Sequence, residues 1–248
     1  MNQKNKISVI ILAKNESLHI SGCIEHVAWA DEVLVVDNGS TDETIAIAKK
    51  LHAHVIELSG VNFSALREAG AKVANGSWLL YIDVDEIVPK ELQKEIEEKM
   101  NGSISAYYIH RTNYYLGQEW PTKDKMVRLI KKDALISWQG KLHEHPIIQG
   151  TIGDCKESLI HHTHRTLSEM VEKTNEWSEI EAELRMHAKH PRMSWWRFLR
   201  VMVTAFNDSF FKQQGWRAGT AGWVESIYQA FSMFITYAKL WERQQNKS

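Results

Sequence analysis

Short apolar runs at residues 7–12, 32–36, 54–58 and 78–82 alternate with amphipathic stretches at 17–27, 41–51 and 64–74. Runs of five or six aliphatic residues have strand length, whereas apolar positions recurring every three to four residues have the helical period. In the second stretch Ser40 is placed to cap, Asp42 and Glu43 fall in the first turn, and Ile45, Ala48 and Leu51 share a face. Ala65, Ala69 and Val73 align in the third. Strand alternating with helix predicts parallel βαβ units, with helices covering the sheet. Such sheets bind ligands beyond the carboxyl ends of their strands, which is where AKNES, DNGS and DVDE fall.

The fourth run, WLLYIDVDE, ends in Asp83 and Asp85 with Glu86 just beyond. Carboxylates at i and i+2 closing a buried strand can jointly face a divalent cation and a diphosphate; a solvated acidic loop is the plainer reading. In VVDNGSTDET, Asp37 closes a strand before a turn, and its carboxylate can accept hydrogen bonds from a base or ribose. Amides near Ser40 and Thr41 would open the next helix toward an anion, although an ordinary capped turn has the same sequence. No GxGxxG follows the first strand and no GxxxxGK[ST] occurs, which argues against dinucleotide and P-loop sites. Asp85 is followed by Glu86 and Ile87, unlike the DxDx[TV] segment of an aspartyl-phosphate phosphatase.

Residues 89–100 read as a charged helix, and 106–109 and 126–130 as further strands around a loop rich in Tyr and Trp. From Ser168 the pattern becomes helical, with Met170, Thr174, Trp177, Ile180 and Leu184 on one stripe. Pro191 interrupts it, and two more helices are expected at 195–211 and 224–241, separated by the glycine-containing GWRAGTAGW. These readings divide the chain into an α/β domain at 1–165 and a helical extension at 166–248. The net charge of −1 hides an asymmetry: residues 185–248 hold ten Lys/Arg against three Asp/Glu, and five of the ten Trp. Cys23 and Cys155 form no CxxC pair, which fits reduced thiols in a cytoplasmic setting. The first apolar run has only about six residues, too few for a signal-peptide core, and the tail's most apolar stretch is broken by Glu225, Gln229 and Lys239. No crossing of the bilayer is expected.

Taken in order, SVIILAKNE, ADEVLVVDNGSTDET, the helix with Arg67, WLLYIDVDE and GKLHEHP at 140–146 resemble family 2 glycosyltransferases of the GT-A fold. Among these the chain is similar to bacterial lipopolysaccharide-core β-1,4-glucosyltransferases, and GWRAGTAGW with the helix ending in YAKLWE shares that likeness. The resemblance implies an α/β fold with a Rossmann-like, mostly parallel sheet flanked by helices, and a C-terminal helical extension. It implies that Ala13, Asn15, Glu16 and Asp37 hold the nucleotide and that Asp83 lies by the ribose and diphosphate. Asp85 would ligate Mg²⁺ or Mn²⁺, with Asp83 and His164 of the HHTH tract as further candidates. Arg67 would add a positive contact, or else form a surface ion pair. Glu144 would be the base that deprotonates the acceptor hydroxyl, or a loop residue paired with His143 or His145. Departures from the family pattern at Glu68 and Asn38 leave the donor's base and sugar open.

The activity implied is inverting, metal-dependent transfer of a hexose, glucose by resemblance, from a nucleotide-diphosphate sugar to a lipopolysaccharide-core or other glycoconjugate or lipid-linked acceptor. Arg192, Arg197, Arg200, Lys212 and Arg217, interleaved with Trp and Phe, suit an anionic membrane on its cytoplasmic face; packing in a homo-oligomer is the competing reading. Nucleic acid is not expected as a partner, because the first part of the chain is acidic and no recognition motif appears. The contrasting hypothesis is a noncatalytic membrane assembly protein that retains a nucleotide-binding shell.

Overall fold

The computed structural model describes residues 5–140, 144–163 and 165–246. In chain order the elements are β1 (Ile7–Ala13), α1 (Ile20–His26), β2 (Glu32–Asn38), α2 (Thr44–Lys50), β3 (His54–Leu58), α3 (Phe63–Val73), β4 (Trp78–Asp83), β5 (Glu86–Ile87) and α4 (Lys90–Lys99). There follow β6 (Ala106–Tyr115), β7 (Gln118–Glu119), β8 (Asp124–Lys131), β9 (Leu135–Gln139), β10 (His145–Ile148), β11 (Ile152–His161), α5 (Leu167–His187), α6 (Trp195–Asn207) and α7 (Gly219–Gln245). They form two units: Met1–Arg111 with Asp124–His161, and Thr112–Lys123 with His162–Ser248.

The first unit is built on a sheet ordered β3-β2-β1-β4-β8-β6-β11-β5. β3, β2, β1 and β4 run parallel, as the strand–helix alternation requires, and β8 turns the sheet antiparallel. β1 and β4 are covered on both faces, so they are apolar nearly throughout rather than alternating, whereas the edge strand β3 exposes His54 and Glu57. Val9, Ile11, Trp78, Leu80 and Ile82 face one core, which also takes Ile20, Ile24, Leu92 and Ile96 from the helices. Ile10, Leu12, Leu79 and Tyr81 face the other, with Leu66, Ala74 and Trp138. α3 lies so close to the sheet that a Cβ on Gly70 would come within 2.6 Å of Ile10 Cγ2.

After β3 the chain returns to the far side of β1, so β1 has β2 on one flank and β4 on the other. This reversal is the crevice where open α/β sheets bind ligands. Ala13 pairs in register with Asp37, and Leu12 with Asp83, which sets three strand ends side by side. Both cysteines are buried and free. Burial, with help from Glu86 and Asp85, pushes the Cys23 thiol well above its usual range, and burial pushes Cys155 up to about 12.

In the second unit α5 and α6 each pack along α7, around Ala182, Met193, Val201, Tyr237 and Leu240. The stripe expected on α5 is corrected. Met170, Thr174, Ser178 and Ala182 are buried, whereas Trp177 and Ile180 are 41% and 43% exposed. Small and hydroxylated residues bring α5 close to α7, where Thr174 Oγ1 and the backbone oxygen of Met170 both bond the Tyr228 hydroxyl. The segment expected to separate the last two helices is itself mostly helical: a 3-10 turn at Gly215–Ala218 runs into α7. No described helix is long and apolar enough to cross a membrane.

Candidate active site

The loops after β1 and β2 are tied together by their own polar groups. Asp37, 1% exposed, accepts from the Gly39 and Ser40 amides at 2.9 and 2.8 Å and from the Ser40 hydroxyl. Ser40 Oγ accepts from the Asn15 amide at 2.8 Å, and Asn15 Oδ1 accepts from the Thr41 amide at 2.8 Å. Asn15 reaches this position with a left-handed φ of 55°. The Glu16 and Ser17 amides donate to Thr44 Oγ1 and Asp42 Oδ2. Burial would raise the Asp42 pKa, but the bonds from Thr44 and Ser17 outweigh it and hold the carboxyl at about 2.

This network corrects two expectations. Helix α2 begins at Thr44, and Ser40 closes the preceding loop instead of capping it. The Ser40 and Thr41 amides are already engaged by Asp37 and Asn15, so they do not await an anion. Asp37 thus shapes the strand end from beneath. Next to it, Asn38 Oδ1 is buried without a hydrogen-bond partner among the described residues.

At the end of β4 lies a ladder of alternating charge. Glu144 Oε1 accepts from Arg67 Nη2 at 2.8 Å and Nε at 2.9 Å; Arg67 Nη2 also reaches Asp83 Oδ1 at 3.2 Å. Asp83 Oδ2 meets Arg128 Nη2 at 2.5 Å, and Arg128 continues to Glu86 Oε1 at 2.9 Å. Glu86 meets Arg111 Nη1 at 3.3 Å, and Arg111 ends the chain on Asp124. Arg67 and Arg128 are 4% and 1% exposed, so Arg67 is a buried rather than a surface ion pair. The Arg67 guanidinium also lies 5.0 Å from the Trp138 ring centroid and 5.7 Å from that of Tyr81, within cation–π range. Its Nη1 has no hydrogen-bond partner among the described residues.

Burial alone would raise the Asp83 pKa, but Arg128 and then Arg67 outweigh it and hold the carboxyl far below the usual range. For Glu86 burial prevails and the pKa is raised. Burial would lower Arg128, yet Asp83 and Glu86 push its pKa up. Glu86 Oε2 also accepts from the Asp83 amide at 2.9 Å, closing the turn that displays Asp85.

Asp85 meets a histidine. β5 pairs with β11 so that His161 lies opposite Glu86, and this brings His161 Nε2 to 3.4 Å from Asp85 Oδ1. His162 turns instead onto the Tyr114 ring, with centroids 5.2 Å apart. His164 lies outside the described residues. Among those residues no group of three His, Cys, Asp or Glu is arranged around a cation. Asp85 with His161 is an oxygen–nitrogen pair suited to Mn²⁺, or to Mg²⁺ with more water, provided substrate oxygens complete the shell.

Glu144 pairs with Arg67, whereas His143, one of the two histidines weighed as its partner, lies outside the described residues. The structure unites Arg67, Asp83 and Glu144 in one cluster, and the register sets Ala13 and Asp37 at the adjoining strand ends. Sequence reasoning gave no role to Arg128, Arg111 or His161. The available signal for Arg128 was a charge inside the apolar run MVRLI.

Comparison with known proteins identifies the family. Residues 8–155 match the family model described as "Glycosyl transferase family 2". An uncharacterized glycosyltransferase of Rickettsia prowazekii is 31% identical over 95% of this chain and 86% of its own length. The lipopolysaccharide core biosynthesis glycosyltransferase LpsC of Rhizobium meliloti is 25% identical over 100% of this chain and 96% of its own. Among solved structures, glucosyl-3-phosphoglycerate synthase from Mycobacterium tuberculosis aligns at a TM-score of 0.48 and 17% identity, over 67% of this chain and 74% of that one. With the family pattern spanning the strand ends that carry the charge ladder, this chain belongs to glycosyl transferase family 2 and is a glycosyltransferase using nucleotide sugars.

Proposed function

We propose that the protein is an inverting, divalent-cation-dependent hexosyltransferase, with glucose as the donor sugar and a lipopolysaccharide-core saccharide as acceptor. The observation that carries this reading is Arg67, which bonds Asp83 and Glu144 at once and so ties the proposed base to the carboxylates at the end of β4. The acceptor assignment draws on similarity to LpsC over the whole chain.

In this reading the nucleotide lies over the ends of β1 and β2, beside Asn15 and Asn38, with Asp37 holding the loop beneath it. Asp85 and His161 would hold the cation, which when bound would supply positive charge against the leaving diphosphate. Asp83 keeps Arg67 and Arg128 in place. Glu144 Oε1 is fixed by Arg67, which leaves Oε2 to take the acceptor hydroxyl proton. The oxygen so released attacks the anomeric carbon as the bond to the diphosphate breaks, and configuration inverts.

The test is transfer from a panel of nucleotide sugars to deacylated core oligosaccharide with Mn²⁺ or Mg²⁺. Glu144→Gln is expected to lower kcat about 10²–10⁴-fold with donor affinity kept. Asp85→Ala is expected to abolish the cation dependence. An unchanged rate in either variant would remove that residue from its role.

The exposed apolar face of α6 and α7 belongs to the same proposal. Val203, Phe206, Ile227, Phe231 and Phe234 line a groove of about 340 Å³ there. Trp195, Trp216, Trp223 and Trp241 are all at least 45% exposed. The Arg197 and Arg200 guanidinium groups stand 4.7 and 5.7 Å from the Trp196 ring centroid. From Arg192 to Arg217 five cations accompany a single acidic residue, Asp208, itself paired with Lys212. That charge pattern fits an anionic bilayer on the cytoplasmic face of the inner membrane.

A further inference from the structure

We infer that the second unit carries a saccharide-binding pocket, separate from the apolar groove, that holds one sugar of the acceptor glycan. This rests on the transferase reading above and names where the acceptor is gripped. The pocket has a volume of about 540 Å³, within the range of small-molecule sites. Its lining combines the Tyr115 and Trp120 rings with Arg200, Asp208, Gln213, Glu225 and Gln229.

The polar set mixes both hydrogen-bonding senses. Arg200 only donates, the two carboxylates accept, and the amides do both. Sugar hydroxyls also do both, and their C–H faces pack on aromatic rings. Asp208 is paired with Lys212, which leaves Arg200 against Glu225 and a lining near neutral overall, as suits an uncharged sugar. Glu225 is 1% exposed and accepts from Gln229 Nε2 at 2.6 Å, one helical turn along α7. Gln213 Oε1 accepts from Trp120 Nε1 at 3.2 Å, which fixes which of its polar atoms remains.

The backbone around the pocket is irregular in a way that packing alone does not require. Asp208–Lys212 forms a π-helical turn, a feature that recurs at functional sites, and it places Asp208 and Ser209 on the lining. A Cβ on Gly215 would approach Trp120 Cη2 to 2.7 Å, and one on Gly222 would approach the Gly215 oxygen to 1.8 Å. Two glycines of GWRAGTAGW are thus needed to seat Trp120 against the 3-10 turn. The motif thus backs Trp120, which itself lines the pocket.

Thr204 is exposed and lines the pocket, so Thr204→Trp fills it without removing an existing contact of the fold. Gln229→Ala removes one polar contact instead. Deacylated lipopolysaccharide-core oligosaccharide is the probe, followed by saturation-transfer NMR, and calorimetry with nucleoside diphosphates and Mn²⁺ is run in parallel. Thr204→Trp is expected to weaken oligosaccharide binding at least tenfold and Gln229→Ala severalfold, with nucleotide affinity within twofold of wild type. Oligosaccharide binding unchanged in Thr204→Trp overturns the pocket, as does a wild-type protein that binds nucleotide but no oligosaccharide. A wild type that binds oligosaccharide in a Thr204→Trp-sensitive way but no nucleotide supports the pocket and defeats the transferase mechanism instead.

Discussion

Arg128 holds two carboxylates, Asp83 and Glu86, in an environment where it is itself 1% exposed. Replacing it by Leu leaves both acids without their shared cation, so Arg128→Leu is expected to cost about 3–5 kcal/mol in urea unfolding. Asp83 gives a pH signature. Its folded pKa is depressed, so its stabilisation is complete above the unfolded value of about 3.9 and is lost as pH falls toward the folded one. Glu86, with a raised pKa, has the opposite sign: its contribution is present below about 4.3 and is lost as pH rises through its folded value. The Tm advantage of wild type over Asp83→Asn should therefore be flat from pH 7 to 5 and shrink from pH 4 to 2. A constant difference across that range would contradict the assignment. At this scale the sequence displayed the acids but hid their partners. Asp83 and Asp85 stand out because an apolar strand stops at them, whereas Arg128 lies 45 positions away and meets Asp83 only after β8 joins β4. His161 was concealed in a run of four polar residues until the β5–β11 register singled it out.

Helix α3 joins packing to chemistry, because the same element carries Gly70 against the sheet and Arg67 into the ladder. Gly70→Ala would press a methyl into Ile10 and Val36, and a cost of about 1–3 kcal/mol is expected. Since the helix must lift to relieve it, transfer activity should fall by more than the folded fraction does. The Asn62 side chain caps α3 by accepting from the Ala65 amide at 3.0 Å, and Asn62→Ala should cost about 1 kcal/mol while sparing activity in the folded fraction. Thermal unfolding beside activity per folded molecule separates the two cases. Strands β1 and β4 were readable because a doubly covered strand is apolar nearly throughout, and the edge strand β3, although His54 and Glu57 are exposed, falls at the residues expected. The start of α2 was misplaced because Ser40 has a stronger partner in Asp37 than in the helix it precedes. On α5 Met170 is joined in the interior by Thr174, Ser178 and Ala182, which carry little hydrophobic signal, while Trp177 and Ile180 are exposed. β5, β7, β9 and β10 were missed as two- to five-residue strands whose pairing is set from elsewhere in the chain, and the ten-residue β11 was missed because Gly153, Asp154, Lys156 and Glu157 break up its apolar residues.

For the molecule as a whole, the uneven charge of the sequence reappears as a surface with apolar and cationic residues together on α6 and α7. The full chain is expected to float with vesicles containing anionic phospholipid, less so at high salt. Val203→Glu combined with Ile227→Glu should abolish flotation. Failure of wild type to float, with dimers in sedimentation, would give this face to a second copy. The division of labour between a nucleotide-binding sheet and a basic helical tail could be seen in composition; the pocket lined by Trp120 could not, since its lining converges from three separate stretches of chain. The placement of Cys23, its Sγ 3.8 Å from the Asp83 carbonyl oxygen, turns a buried atom into a reporter. A maleimide needs the thiolate, so labelling waits for the acidic turn to open. Any compound that clamps that turn will slow the modification, and the alkylation rate of one native sulfur then ranks candidate donors without a label, a coupled assay or knowledge of the acceptor.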